Sequence, residues 1–290
     1  RELGYAARAG ISFWAFVQYD EGSALSAALA NYLAAPDKQG VNFAVLLEVG
    51  KVATGPADPA WASFMSRYDG YFDRPEYETV QPSGRPLVFL FGSHSQVAPR
   101  FGSAEGFAAA LQAWARHCTA AGRPPPHFVL QDGYNNSFAK ELRGLGAVQS
   151  RSSCALGDGE VNGTFADQAA QCEFRWKDWA ANGDDVIPLA ATGWDPRDRA
   201  SGCAGWLPGG EGKAWTQLPT ARQVAGVVSD AVRWACANPT AATTQRVLIY
   251  AWNENSEGGW LVPTLGEGTA RVDALHNATG GGGWRCGGQP

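Results

Sequence analysis

Seven short apolar runs, rich in β-branched and aromatic residues, recur along the chain with helix-patterned stretches between them. The runs are residues 11–17 (ISFWAFV), 41–49 (VNFAVLLEV), 86–91 (PLVFLF), 127–130, 147–150, 186–191 and 246–252 (RVLIYAW). Most are continuously apolar instead of alternating, which is the pattern of strands buried on both faces. A helix over 2–9 ends at Gly10, and further helices are expected over 25–35, 61–72, 103–121, 138–145, 166–182, 220–238 and 269–278. Thr220 has the chemistry of an N-cap. Strands that alternate with helices in this way call for a parallel sheet covered by helices. A doubly wound sheet is the rival, but no GxGxxG follows the first run. The 290 residues suit one barrel of about 250 residues. The expected fold is therefore α/β, a (β/α)₈ TIM-type barrel that lacks or truncates its first strand, because seven runs are found where eight are needed. One barrel domain is expected over 1–279, with 280–290 as a Gly-rich tail.

Composition narrows the class of ligand. The net charge of −5 leaves no basic footprint for nucleic acid. No run of about 18 apolar residues is present, so no membrane span is expected. The 12 Trp matter because a flat indole stacks on the C–H faces of sugars, although any single Trp more often fills a core gap. The six Cys form no CxxC pair and His is scarce at four, so neither a metal nor a cofactor is expected. An even Cys count suits a secreted or periplasmic protein with up to three disulfides, with buried free thiols as the alternative. A monomer acting on carbohydrate is the expected state.

In such folds the chemistry lies just past the carboxyl ends of the strands. The residues there are Tyr19 and Asp20, then Glu48, then Ser93 and His94, then Gln131, Asp132 and Tyr134, then Arg151 and Ser152. They continue with Trp194, Asp195 and Arg197, and end with Asn253, Glu254 and Glu257 after Trp252. Acids and aromatics dominate, with few cations, which disfavours phosphorylated substrates and favours neutral polyols. Glycoside hydrolysis needs two carboxyl groups flanking one bond. One of them must hold a proton, which a neighbouring carboxylate or apolar surroundings achieve by raising its pKa. Glu254 and Glu257, three residues apart where a strand becomes a loop, are the candidates. The competing role for either is structural, bound to Arg197 or to a loop amide. Asp195, before Pro196, is a site acid or a turn residue. Glu48 and Asp132 are candidates to bind hydroxyls or orient the acid, or to sit in salt bridges. Tyr19 and Trp194 are candidates to stack on a ring, and His94 to hydrogen-bond. Ser93-His94-Ser95 lacks the GxSxG elbow of a serine nucleophile.

These residues carry a family resemblance. The segment YAWNENSEGGWLVP at 250–263 resembles the WNEW-x-EG-x-x-L-x-P signature of the WbsX-like proteins, relatives of the family 99 glycoside hydrolases, the endo-α-mannosidases. GWDPR at 193–197 resembles their P-x-W-D-N-x-x-R segment, and AGISFWAF at 9–16 resembles AGIDGFxFY on their second strand. The resemblance spans residues 9 to 263. It implies a (β/α)₈ barrel whose first strand precedes Arg1. It also implies that Glu257 is the general acid/base and that Glu254 assists attack at the anomeric carbon. In the mannosidases that assistance deprotonates the sugar's own 2-hydroxyl, with an epoxide-like intermediate and net retention. Trp252, Trp194 and Asp195 would line the site. The chain departs from the pattern at Asn255, Ser256, Pro196 and Gln18-Tyr19-Asp20, which leaves the sugar open. Some WbsX-like proteins are labelled glycosyltransferases, and family 71 α-1,3-glucanases carry a similar WND-x-x-E-S ending. The expected function is a retaining glycoside hydrolase of a neutral poly- or oligosaccharide. The alternatives are a non-catalytic carbohydrate-binding barrel and a glycosyltransferase, whose diphosphate would find few cations at the strand ends.

Overall fold

The computed structural model describes residues 1–20, 22–131, 135–154, 162–198 and 214–281, together with Trp284 and Cys286. In chain order the main elements are α1 (Glu2–Arg8), β1 (Phe13–Val17), α2 (Ala27–Ala34), β2 (Asn42–Glu48), α3 (Trp61–Phe72), β3 (Thr79–Val80), β4 (Arg85–Phe91), α4 (Val97–Phe101), α5 (Ala104–Ala120), β5 (His127–Gln131), α6 (Asn136–Gly144) and β6 (Ser150–Ser152). They continue with α7 (Phe165–Ala181), β7 (Asp185–Val186), β8 (Leu189–Ala191), α8 (Ala221–Ala237), β9 (Leu248–Tyr250), β10 (Asn253–Glu254), β11 (Gly259–Trp260) and α9 (Ala270–Ala278). The chain divides into two compact units, Ser12–Arg151 and Arg1–Ile11 with Ser152–Pro290.

In the unit Ser12–Arg151, β1, β2, β4 and β5 form a parallel sheet in that order. Side chains alternate between its faces. Phe43 packs against Tyr32 of α2 and Tyr71 of α3, and Phe128 against Trp114 of α5, so this is the helix-covered face. Phe13 and Phe89 stack on the opposite face. α5 forms because Ser103 caps it, accepting from Gly106 N, while Ala104, Phe107, Ala108, Leu111 and Trp114 recur at helical spacing and are all buried. Trp114 is ringed by Phe64, Tyr68, Phe72 and Phe128. Each large side chain buried there stabilises the fold by about 1.5–3 kcal/mol. The short β3 pairs antiparallel with the start of β4, an element the apolar-run pattern does not reveal.

At the amino end of this sheet, buried His127 hydrogen-bonds Ser150 Oγ at 2.6 Å. Burial, with Arg85 nearby, pushes its pKa down to about 4. An unfolded histidine titrates near about 6.5. Between those values the unfolded chain binds the extra proton, so stability rises with pH there. The contribution is complete above about 6.5 and lost as pH falls toward 4, a total of about 3 kcal/mol. The midpoint of urea unfolding is expected to fall steeply over that window, and a His127→Gln variant to flatten the fall. An unaltered slope in the variant would assign the acid sensitivity elsewhere.

In the other unit β8 and β9 pair in parallel, and the core gathers Phe165, Trp176 and Trp179 of α7, Val224, Val228 and Ala231 of α8, and Val272 and Leu275 of α9. Thr220 is the N-cap of α8, reciprocated by Gln223. The run expected over 186–191 is two strands, because Pro188 has no N–H for the ladder; its carbonyl still accepts from Leu248 N at 2.9 Å. Of the six cysteines, Cys154–Cys172 and Cys236–Cys286 form disulfides, Cys118 is a buried thiol, and Cys203 lies outside the described residues. With separations of 18 and 50 residues, the cross-links remove unfolded-chain entropy worth about 3 and 4 kcal/mol. No helix among the described residues is long and apolar enough to cross a membrane.

Candidate active site

The loops after β8 and β9 carry most of the candidate residues. They are joined through the backbone. Thr192 Oγ1 donates to Tyr250 O at 2.7 Å and accepts from Ala251 N at 2.9 Å, which satisfies the strand end where the Tyr250–Ala251 peptide is cis. Asp195 N donates to Glu257 O at 2.6 Å, so the two segments singled out from sequence meet here. Glycines make that approach possible. A Cβ on Gly193 would lie 2.2 Å from Gly258 O, and one on Gly258, whose φ is +75°, would lie 2.6 Å from Asp195 N. Both obstacles are backbone and cannot swing aside. Gly258→Ala is expected to lower stability by about 2–4 kcal/mol through left-handed strain and overpacking. Thermal denaturation checks this; a melting temperature equal to wild type would mean that the two loops are free to separate.

Glu254 belongs to the β10–β11 hairpin, paired with Gly259, and Glu257 to a single 3₁₀ turn, Asn255–Glu257, that links the two strands. Both are half-buried, while Asn253 is exposed. Asp195 is different. Arg197 Nε and Nη2 each reach its carboxylate at 2.7 Å and hold its pKa below the usual range. The same guanidinium lies 3.4 Å over the Trp215 ring. Asp195 is thus an ion-paired carboxylate, unsuited to donating a proton at neutral pH. Trp194 is half-buried, 6.0 Å from the Tyr250 ring, and its indole N–H donates to Ala214 O at 3.0 Å. Trp252 donates its indole N–H to Glu2 of α1 at 2.9 Å, and its carbonyl accepts from Leu261 N and Val262 N. Its position owes as much to the packing of its own unit as to the strand end.

A residue that sequence reasoning missed ties these loops together. Arg271 of α9 is 2% exposed and donates to Thr192 O, Trp260 O and Pro219 O, and to the Glu267 carboxylate. Its guanidinium also lies 3.8 Å over the Trp260 ring. The signal in the sequence is faint, since Glu267 and Arg271 read as an ordinary exposed i,i+4 pair.

In the unit Ser12–Arg151, Lys51 connects two of the candidates. Its ammonium is 3.8 Å from Glu48, 5.2 Å from the centre of the Tyr19 ring, and donates to Gln18 O at 3.0 Å. Asp20 is exposed, and its carbonyl accepts from Ser23 N. His94 is exposed at the start of a 3₁₀ turn, with its ring 6.3 Å from Phe138. Asp132 and Tyr134 lie outside the described residues. Among the described residues no group of three or more His, Cys, Asp or Glu is placed to hold a metal ion.

No protein-family model and no curated protein matches this sequence. Solved structures do. The chain is similar to the GH99 endo-α-mannosidase of Bacteroides thetaiotaomicron in complex with Bis-Tris propane, at 14% identity and a TM-score of 0.54, over 96% of this chain and 80% of that one. A second structure of the GH99 endo-α-mannosidase from that organism gives 13% identity and a TM-score of 0.52 over 96% and 79%. At this identity the likeness is one of fold. The chain has the α/β-barrel class expected from its strand–helix alternation.

Proposed function

We propose that the chain is a glycoside hydrolase acting on a neutral oligo- or polysaccharide. The observation that carries this reading is the strand-end hairpin that holds two half-buried carboxylates, Glu254 and Glu257, with its backbone fastened to Asp195. Asp195 is committed to Arg197, so the proton-handling roles fall to the two glutamates. Glu257 donates its proton to the glycosidic oxygen as the C1–O bond breaks. Glu254 takes the proton of the sugar's 2-hydroxyl as O2 closes on C1. Water then attacks C1 with Glu257 taking its proton, the C1–O2 bond breaks as Glu254 returns its proton to O2, and the configuration at C1 is retained. Trp194, Arg197, Asn253 and Trp252 border the reacting centre. The two disulfides suit an extracytoplasmic protein. Because the similar barrel enzymes are named endo-α-mannosidases, α-linked mannans come first among test substrates. The test is release of reducing ends from a panel of neutral glycans by wild type, Glu254→Gln and Glu257→Gln. Wild type is expected to cleave at least one glycan and both variants to lose that activity. Cleavage that survives both changes would sink the assignment.

A further inference from the structure

The register of the sheet in Ser12–Arg151 brings three chemistry-bearing side chains into one lateral row. Glu48 of β2 is opposite Phe91 of β4, and Phe91 is opposite Gln131 of β5. Laterally paired residues of parallel strands project from the same face. Earlier in the strands that face carries Val17, Leu46, Phe89 and Val129 in one row, and Ala15, Ala44, Leu87 and His127 in the row before it. Helices cover the other face, through Phe43 and Phe128. The column of mostly apolar rows therefore ends abruptly in an acid, an aromatic ring and an amide.

Nothing in packing requires that ending. Phe89 and Leu90 are fully buried, yet Phe91 is 38% exposed, and the Glu48 side chain is 44% exposed. Gln131 is 7% exposed, and its side-chain oxygen Oε1 has no hydrogen-bond partner among the described residues. Its main-chain oxygen is occupied, accepting from Gly92 N at 3.3 Å. A buried amide oxygen left unpaired costs free energy that a donor from outside would recover.

We infer that the carboxyl ends of β2, β4 and β5 form a binding subsite for one hexopyranose unit of a neutral glycan, with Phe91 beneath the ring and Glu48 and Gln131 at its two rims. The inference rests on the carbohydrate reading above. Neighbouring strands lie about 4.8 Å apart, so the roots of Glu48 and Gln131 are separated by about 10 Å with Phe91 midway. That leaves room for one sugar ring on the phenyl face, with its hydroxyls donating to an acceptor on each side. The negative face of the phenyl ring attracts sugar C–H bonds. Lys51 offsets the charge of Glu48 and is held by Gln18 O and Tyr19, so the row presents no spare cation for an anionic ligand.

The test is calorimetric titration of the full chain, carrying Glu257→Gln to prevent turnover, with manno-oligosaccharides and cello-oligosaccharides of two to four units. Phe91→Ala and Gln131→Leu are each expected to weaken binding by about tenfold or more, the loss of one good contact. Gln131→Leu removes an unpaired buried acceptor, so the unliganded variant is expected to melt no lower than its parent. A purely structural glutamine would lower the melting temperature instead. Binding unchanged in both variants, or no binding of any probe by the parent, would overturn the subsite. Hydrolysis lost in Glu254→Gln and Glu257→Gln but intact in Phe91→Ala and Gln131→Leu would overturn the subsite alone. Binding that depends on Phe91 and Gln131, in a chain whose wild type cleaves nothing, would uphold the subsite and overturn the hydrolase.

Discussion

Replacing Arg271 with methionine is expected to lower the free energy of unfolding by about 3 kcal/mol, with little change in the urea m-value. Methionine keeps much of the length and volume but none of the donors. It would leave the carbonyls of Thr192, Pro219 and Trp260 without the guanidinium that now reaches them at 2.9, 3.3 and 2.9 Å. The Glu267 carboxylate, bound at 2.7 Å, is 35% exposed and can rehydrate, which places the loss at the lower end of the range for breaking a buried ion pair. Arg271→Lys retains one charge but cannot fork toward several acceptors at once, so an intermediate loss is expected. The three carbonyls are not scattered. Thr192 opens the loop that carries Asp195, Trp260 closes the hairpin that carries Glu254 and Glu257, and Pro219 leads into α8. Under the proposed function, hydrolysis should therefore fall with stability, mostly in kcat, because a site displaced by about 1 Å loses reactive geometry before it loses binding. Urea unfolding and steady-state kinetics on the same preparations check both limbs. A variant within about 1 kcal/mol of wild type would show that water replaces the guanidinium at all three carbonyls.

The contrast between Arg271 and Glu254 shows what a sequence discloses. Continuous apolar runs disclosed β1, β2, β4 and β5; the interior positions of β2, β4 and β5 are largely buried on both faces, whereas β1 is half-buried beyond Phe13 and was disclosed by its apolar residues alone. β6 was displaced from its expected place, since Ser150, Arg151 and Ser152 are polar yet buried, and hydropathy cannot anticipate that. Glu254, Glu257 and Asp195 could be picked out as candidates because they stand just past strand-patterned runs, in the segments that carry the resemblance. The ion pair that removes Asp195 from acid chemistry was not, because an i,i+2 link between Asp195 and Arg197 depends on the turn at Pro196. Arg271 was invisible for a similar reason. Its partners are mostly backbone carbonyls, and a carbonyl has no residue identity to read. Phe91 looked like the last residue of a buried strand, and only the register shows it between an acid and an amide.

The two glutamates are expected to separate when the leaving group is changed. On a natural glycan the departing group is a sugar alkoxide, a poor leaving group that needs a proton as the bond breaks. A glutamine at 257 cannot supply it, so Glu257→Gln should lose about 10²–10⁴-fold in kcat/KM on the glycan. A dinitrophenyl glycoside of the same sugar departs without protonation, and the same variant should retain the first chemical step on it. Glu254→Gln should lose activity on both substrates, because the proposed mechanism requires removal of the 2-hydroxyl proton whatever leaves. The pH profiles carry the same distinction. A base must be ionised and an acid protonated, so Glu254→Gln should remove the acid limb of the bell and Glu257→Gln the alkaline limb. Asp195→Asn provides the control. Its carboxylate is tied to Arg197, so its loss should leave both limbs in place while weakening the loop that meets Glu257 O. The reverse pattern, with Glu254→Gln rescued by the aryl leaving group, would exchange the two roles. Equal losses by both variants on both substrates would mean that the pair acts as one unit, and that no proton can be assigned to either carboxylate alone.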